Sequence, residues 1–174
     1  MNFVLNPLSK NKKEFDFNKQ LAIGEKGENF FIKCYEFINA RKVDVHAFDI
    51  LIYKDVKVEL KTDTYSMDNS PNFFMEKYGD IEEKIKSLGG PWRAKKDQID
   101  FFVYLYIKDR MFFWFEPIPL CEYLNPRMKK FELRYIKNKD WTAIGFLVKR
   151  DEINHLCYRQ EKFDSNGQLL ATIR

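Results

Sequence analysis

The residues best suited to chemistry in this chain lie between positions 49 and 61. Asp49 begins one apolar run, and Glu59 and Lys61 lie on the next run, separated by a single residue. Aliphatic residues alternate with these polar ones along the second run. The alternation predicts a strand that turns its aliphatic side to the core and presents Glu59 and Lys61 together on the other face.

These residue types suit the hydrolysis of a phosphodiester. Two carboxylates supply the hard oxygen ligands that Mg²⁺ prefers, and a bound ion activates water and shields the charge of the transition state. A lysine beside them can hold the attacking water and stabilise developing negative charge, because its ammonium is a compact charge on a flexible stem. The pattern predicts that loss of Lys61 lowers the rate of hydrolysis more than it lowers binding.

The connection between the two runs decides whether Asp49 can reach the other two residues. If residues 54–55 formed a two-residue turn, Asp49 would lie opposite Leu60. Its side chain would then point away from Glu59 and Lys61, because neighbouring positions on a strand face opposite sides. The sequence therefore predicts a connection with an odd number of residues, or a bulge in one of the strands.

Further segments extend the pattern on both sides. Residues 24–31, Gly-Glu-Lys-Gly-Glu-Asn-Phe-Phe, precede it, and residues 72–76, 87–90 and 100–105 follow it. Together with the Glu-x-Lys triplet these segments resemble the PD-(D/E)XK nuclease superfamily, and its phage and resolvase-like members in particular. The first segment looks like the family's first helix, in which a glutamate soon after a glycine faces the metal site. The resemblance covers about half the chain, and Ala47-Phe48 precedes Asp49 where many members have proline.

The resemblance implies a restriction-endonuclease-like fold, an α/β (α+β) core in which helices flank a mixed central β-sheet. It also implies an endonuclease that acts on DNA with Mg²⁺ or Mn²⁺, with branched or junction DNA as one candidate substrate. Asp49, Glu59 and the backbone carbonyl of Leu60 would hold the ion. Lys61 would orient the nucleophilic water, and Glu28 would assist or bind a second ion. Symmetric cutting of a junction needs two sites, which would favour a homodimer.

Two other functions fit the same residues. One is the cleavage of RNA, and the other is a non-catalytic binding module, for nucleic acid or protein, that kept the fold and lost turnover. The intact acidic pair and lysine count against the module, because two carboxylates with nothing to coordinate would repel DNA.

Three glutamates outside the triplet need separate interpretation. Glu28 lies nearer than Glu25 to the border of an apolar stripe at helical spacing, which comprises Phe30, Phe31, Cys34, Phe37 and Ile38. From periodicity alone both are better explained as ordinary acidic residues in a first helical turn, and the resemblance favours Glu28 only. Glu76 shares a predicted strand face with Asn72 and Phe74. It is either a carboxylate that borders the metal site or a surface residue.

Charge allows binding to nucleic acid without demanding it. The net charge of +4 comes from 30 basic against 26 acidic residues, so the surface is mixed. Basic clusters occur at residues 10–13, 92–96 and 127–130, and most such clusters are solvated faces. The second cluster follows a Gly-Gly-Pro loop, and in the resembling nucleases this region lies beside the scissile phosphate. The nucleic-acid contacts expected from it are Trp92, Arg93, Lys95 and Lys96.

Composition limits the other function classes. A chain of 174 residues, 45% of them hydrophobic, fits a single domain over residues 1–174. Its cysteines, Cys34, Cys121 and Cys157, form no Cys-x-x-Cys pair, so neither a zinc site nor a disulfide framework is supported. No signal peptide or membrane-spanning run is evident. We expect a protein without a membrane partner, in the cytoplasm of a bacterium or as a phage protein in a host cell.

The predicted elements alternate as this fold requires. Helices are expected near residues 24–39, 81–88, 92–98, 117–124 and 151–158. Strands are expected near residues 43–47, 49–53, 56–62, 72–76, 101–107, 111–115, 131–136 and 143–148. Asp100, at the start of a strand, is expected to be a structural hydrogen-bond acceptor.

Overall fold

A computed structural model of the chain describes residues 17–43, 48–81, 87–137 and 141–173, and has a mixed α/β architecture. Its helices are α1 (Phe17–Cys34), α2 (Gly90–Lys96), α3 (Pro117–Leu124) and α4 (Arg150–Ile153). The first strands are β1 (Arg41–Lys42), β2 (Ile50–Ile52), β3 (Val56–Asp63), β4 (Asn72–Asp80), β5 (Ser87–Leu88) and β6 (Phe101–Tyr106). The later strands are β7 (Met111–Phe115), β8 (Glu132–Lys137), β9 (Thr142–Lys149), β10 (Cys157–Phe163) and β11 (Leu169–Ile173).

Two sheets organise the described residues. The larger has seven strands in the order β1-β2-β3-β6-β7-β10-β11, and it is mixed because β3 and β6 run parallel while the other pairs are antiparallel. The smaller is antiparallel with the order β5-β4-β9-β8. The predicted mixed central sheet is confirmed. The strand at residues 72–76 belongs to the second sheet and is longer than predicted.

Apolar side chains cover both faces of the large sheet. On one face α1 packs Phe31 and Tyr35 against Phe112 and Trp114 of β7. On the other face, the small sheet with α2 and α3 packs on a second buried cluster that includes Phe113. Strands β6 and β7 are therefore buried on both sides, which explains why their sequences are almost continuous apolar runs.

The first helix differs from the prediction at both ends. It begins at Phe17 and ends at Cys34, and a 3-10 helix follows over Glu36–Ile38. This change of helix type rotates the residues beyond Cys34, so Tyr35 is buried while Phe37 is 78% exposed. The predicted apolar stripe is therefore wrong at Phe37.

The end of the chain also differs from the prediction. The helical patch expected over residues 151–158 is one short helix and a 3-10 turn, and β10 begins at Cys157. Two inward positions of β10 carry Arg159 and Glu161, which pair with each other at 3.1 Å. Because charged residues occupy these positions, the strand lacks the apolar alternation that would have revealed it. Residues 87–88 are extended rather than helical, and predictions for residues 10–13, 44–47 and 82–86 lie outside the described residues.

The three cysteines, all described, are free thiols in or beside the core. Burial raises the pKa of Cys34 to about 12 and the pKa values of Cys121 and Cys157 to about 11. Because the thiolate is the reactive form, we expect alkylation at pH 8 to be slower in the folded protein by roughly 100-fold or more. Iodoacetamide labelling with and without guanidinium measures this. Rapid labelling of all three thiols in the folded protein would contradict it.

No helix in the described part of the chain combines the length and apolarity needed to cross a membrane.

Candidate active site

The hairpin between β2 and β3 brings Asp49 close enough to Glu59 for their charges to interact. Ile50 pairs with Val58, and residues 53–55 form a three-residue connection in which Tyr53 has a φ of 54°. The regular ladder ends at Ile50, because the backbone N–H of Asp49 also donates to the Val58 carbonyl, and the Asp49 charge acts on Glu59 from this position. The three-residue connection has the odd number of residues that a shared face requires.

Asp49 is fixed by two hydrogen bonds to β3. Its backbone N–H donates to the Val58 carbonyl at 3.1 Å, and its Oδ2 accepts from the Leu60 N–H at 2.7 Å. Residues two apart on a strand direct their backbone groups to the same side. The Leu60 carbonyl therefore faces the Asp49 side of β3, where it could join the two carboxylates as a third oxygen ligand.

Glu59 is buried beneath α2. The Arg93 guanidinium contacts Glu59 Oε1 through Nη2. Glu59 Oε2 and Arg93 Nε are buried, and neither has a hydrogen-bond partner among the described residues. One oxygen of this carboxylate is thus left for a ligand.

The surroundings of Glu59 and Asp49 disfavour the charged forms of both carboxyl groups. Burial, and then the negative charge of Asp49, raises the pKa of Glu59 to about 8 against the opposing effect of Arg93. Burial also raises the pKa of Asp49, although the hydrogen bond from the Leu60 N–H works in the other direction. Two buried acids that interact in this way favour a cation between them.

Lys61 points to the same side as Glu59 and meets Glu76. Its Nζ lies 3.5 Å from Glu76 Oε2 and 5.6 Å from the centre of the Phe74 ring. A Cβ on Gly89 would overlap Glu76 Oε1, so glycine at this position is what lets the chain pass the carboxylate. Of the two interpretations of Glu76, the geometry agrees with the carboxylate that borders the site.

Glu28 approaches from the opposite face of the sheet. Helix α1 lies so close to β3 that a Cβ on Gly27 would overlap Thr62 Oγ1. Glu28 is half-buried and Glu25 is exposed, in agreement with the preference for Glu28. Glu28 Oε2 lies 2.6 Å from Lys42 Nζ, and the negative charge of Glu28 contributes to the raised pKa of Asp49 after burial. No sequence pattern singled out Lys42.

The expected nucleic-acid contacts separate into three environments. Trp92 is only 5% exposed, and its Nε1 donates to Asn125 Oδ1 at 2.8 Å. The prediction that Trp92 contacts nucleic acid is therefore wrong in this structure, because the start of α2 is packed against α3. The Arg93 guanidinium forms an ion pair with Glu59, and Lys95 and Lys96 are exposed. Asp100 is the structural acceptor that was expected, since its Oδ2 accepts from the Lys57 N–H at 2.8 Å.

Within the described ranges, His, Cys, Asp and Glu side chains nowhere form a ready group of three that could hold a metal ion. Cationic side chains contact three of the candidate carboxylates instead: Arg93 on Glu59, Lys42 on Glu28 and Lys61 on Glu76. The oxygen chemistry nevertheless fits a hard cation, because the charges of Asp49 and Glu59 interact and one buried Glu59 oxygen has no hydrogen-bond partner in the described part.

The structure therefore gathers Asp49, Glu59, Lys61 and Glu76 at one end of the β2–β3 hairpin, with Arg93 among them. Glu28 acts on this group from α1 through its charge. Comparisons with protein-family models, with curated proteins and with solved structures find no match to this chain.

Proposed function

We propose that this protein is a metal-dependent endonuclease that hydrolyses phosphodiester bonds in DNA, and that it belongs to the PD-(D/E)XK nuclease superfamily. One observation carries the proposal: a three-residue connection brings Asp49 beside Glu59, which shares a strand face with Lys61. On two paired strands, two acids can bind a metal ion and a neighbouring lysine can hold the attacking water beside a phosphate.

Each residue has a separate task in this proposal. Asp49, Glu59 and the Leu60 carbonyl would hold Mg²⁺ or Mn²⁺, which supplies charge stabilisation and an acidic bound water. Lys61 would orient the attacking water and stabilise the negative charge that develops on the phosphate. Glu76, 3.5 Å from Lys61 Nζ, would hold the lysine in position. Glu28 would raise the negative charge around Asp49 or bind a second ion.

The DNA contacts would come from the surface beside these residues. Lys95 and Lys96 are exposed on α2, the helix that also carries Arg93. The loop after β3, at residues 64–71, leaves the strand just beyond Lys61. Phosphate contacts from these elements would position the duplex without reading its bases. Branched DNA and a homodimer remain part of the proposal, because two symmetric cuts need two sites.

A non-catalytic DNA-binding module is the second candidate, and the ion pair between Arg93 and Glu59 favours it. A guanidinium on Glu59 already compensates the buried carboxylate, so that carboxylate would need no metal ion. In that case neither Mg²⁺ nor Mn²⁺ binds the protein, and DNA affinity is the same with and without these ions.

Substitution of Lys61 separates the two candidates. Lys61→Ala is expected to slow Mg²⁺-dependent cleavage of duplex or branched DNA by about 100-fold, because one charge that stabilises the transition state is lost. The dissociation constant for DNA is expected to change by less than about threefold, because Lys61 is paired with Glu76 and stabilises charge that develops only in the transition state. Timed cleavage of labelled DNA and fluorescence anisotropy measure the two quantities.

Lys57→Ala is the matched control, because Lys57 lies on the same face of β3 on the other side of Glu59. It should leave the cleavage rate within about threefold of wild type. Equal losses in both variants would contradict a specific role for Lys61. Cleavage that survives both Lys61→Ala and Asp49→Ala would point to another nuclease in the sample. Single-stranded RNA in the same assay tests RNA cleavage.

A further inference from the structure

The Arg93 guanidinium lies among the carboxylates of the candidate site. It contacts Glu59, and the charges of Asp49 and Glu76 also act on it. The ion pair leaves Arg93 Nε and Glu59 Oε2 buried without hydrogen-bond partners among the described residues. The guanidinium therefore compensates the charge of Glu59 but does not satisfy the hydrogen-bonding capacity of either group.

The two partners differ in their access to solvent. The Arg93 side chain is 37% exposed, whereas the Glu59 side chain is 7% exposed. Arg93 can leave the pair by rotating its long side chain toward the surface, but Glu59 cannot follow because it points inward from the middle of β3. The ion pair can therefore break by movement of the Arg93 side chain but not by movement of Glu59.

The backbone that carries Arg93 is anchored on the site. The Arg93 N–H donates to the Gly89 carbonyl at 3.2 Å, and the Asp97 N–H donates to the Arg93 carbonyl at 2.9 Å. Gly90 has a φ of +45°, and a Cβ on it would lie 3.0 Å from the Glu76 carbonyl oxygen. Because the start of α2 lies against Glu76, a guanidinium that left Glu59 would remain beside the carboxylates.

We propose that Arg93 is an exchangeable counter-ion, which pairs with Glu59 while no divalent cation is bound and turns to a backbone phosphate of DNA when one is. This inference rests on the proposed function. It assigns to one residue both the ion pair and the phosphate contact expected of the basic cluster.

The chemistry of both partners fits such an exchange. A buried carboxylate needs a proton or a cation to compensate its charge, so a divalent cation that binds Glu59 takes over the role of Arg93 and releases the guanidinium. The planar guanidinium then has its full set of donors available, and its fork matches two phosphate oxygens. Lys95 and Lys96 are exposed on the same helix, which gives a phosphate at this position two further cationic neighbours.

Calorimetric titration of Mn²⁺ without DNA tests the first half of the exchange. In wild type the ion must compete with the guanidinium, whereas in Arg93→Gln it does not. Arg93→Gln is therefore expected to bind Mn²⁺ about tenfold more tightly. Lys95→Gln, which removes a charge from the exposed side of the same helix, is expected to bind Mn²⁺ as wild type does. Equal or weaker binding in Arg93→Gln overturns the inference.

Binding of labelled duplex DNA tests the second half. All proteins in this experiment carry Lys61→Ala to slow cleavage. Added Arg93→Gln is expected to weaken DNA binding about tenfold in Mn²⁺ and to leave it unchanged in EDTA, where Arg93 is held by Glu59. Added Lys95→Gln is expected to weaken binding similarly in both conditions. A loss in Arg93→Gln of equal size in EDTA and Mn²⁺ overturns the inference.

Two comparisons keep the outcomes distinct. If wild type and Arg93→Gln both fail to bind Mn²⁺, the metal centre of the proposed function fails with the inference. If wild type binds Mn²⁺, Asp49→Ala does not, and Arg93→Gln binds no more tightly, only the inference fails. Should Arg93→Gln not fold, Arg93→Lys keeps a cation near Glu59 without the planar fork. It is expected to bind Mn²⁺ a few-fold more tightly than wild type, and unchanged binding overturns the inference.

Discussion

Asp49→Asn is expected to lower the rate of the proposed metal-dependent DNA cleavage by at least about 10³-fold, because an amide is a weak ligand for the Mg²⁺ that would activate the water. The fold should survive, since the oxygen of the introduced amide can still accept from the Leu60 N–H, which lies 2.7 Å from Asp49 Oδ2. Timed cleavage assays at saturating Mg²⁺ measure the loss.

The same substitution is expected to stabilise the protein in the absence of metal. Burial raises the pKa of Asp49, so its charged form is less favourable in the folded than in the unfolded chain. The unfolded carboxyl loses its proton first as pH rises, and the wild-type protein therefore loses stability across that interval. At pH 8 in EDTA, Asp49→Asn should therefore unfold at a higher Tm than wild type. The difference should vanish at acid pH, where Asp49 is protonated.

Asp100→Asn is the matched control for both measurements. Asp100 also accepts a backbone N–H of β3, from Lys57 at 2.8 Å, but unlike Asp49 it is exposed. Its replacement should leave cleavage within about twofold of wild type. Retained cleavage in Asp49→Asn would refute Asp49 as a metal ligand. A lower Tm for Asp49→Asn than for wild type at pH 8 would show that burial does not disfavour the charged form of Asp49.

Gly27→Ala is expected to destabilise the fold by about 3 kcal/mol, which corresponds to roughly 6–12 °C in Tm. A Cβ at this position would overlap Thr62 Oγ1 and would lie 2.9 Å from Thr62 Cβ. Rotation of the threonine about χ1 cannot relieve the second contact, so α1 must move away from β3. Glu28, the next residue on α1, would move with it, and the loss of cleavage activity should exceed the loss of folded protein.

Gly24→Ala provides the comparison on the same helix. Apart from its chain neighbours and the backbone of α1 itself, no described atom lies within 4 Å of a Cβ at Gly24, so alanine should be neutral or stabilise α1 by up to about 1 kcal/mol. The double variant Gly27→Ala with Thr62→Ala should recover about half of the loss, because Oγ1 and Cγ2 are removed while Cβ remains. Thermal unfolding of wild type, Gly24→Ala, Gly27→Ala and the double variant measures these changes in stability. Equal effects at Gly24 and Gly27 would show that α1 does not pack as closely as the distances indicate.

Local patterns predicted the parts of the fold that depend on neighbours in sequence. The apolar runs of β6 and β7 have strand composition and a turn between them, so their positions were predicted to within a residue. Strand β10 was missed because the Arg159–Glu161 ion pair occupies inward positions that are usually apolar. The separation of β4 into a second sheet was also missed, because strand pairing depends on residues distant in the chain.

In the candidate site, too, some features follow from the local sequence and others depend on contacts between distant segments. Strand alternation is a property of the backbone, so the order of residues 56–61 was sufficient to assign Glu59 and Lys61 to one face. Arg93 was expected to contact nucleic acid, and its position on Glu59 depends on how α2 packs across β3, 34 residues away in the chain. Lys42 reaches Glu28 in a similar manner through the packing of α1 beside β1.

The amino-acid order alone therefore established a mixed α/β chain, the shared face of Glu59 and Lys61, and the parity that the hairpin connection needs for Asp49 to join them. Folding in three dimensions was required to bring Glu76 to Lys61 and Arg93 to Glu59, and to remove Trp92 from the surface. The physical reason is range. Backbone geometry repeats every two residues along a strand, whereas burial and ion pairing depend on which distant segments pack together.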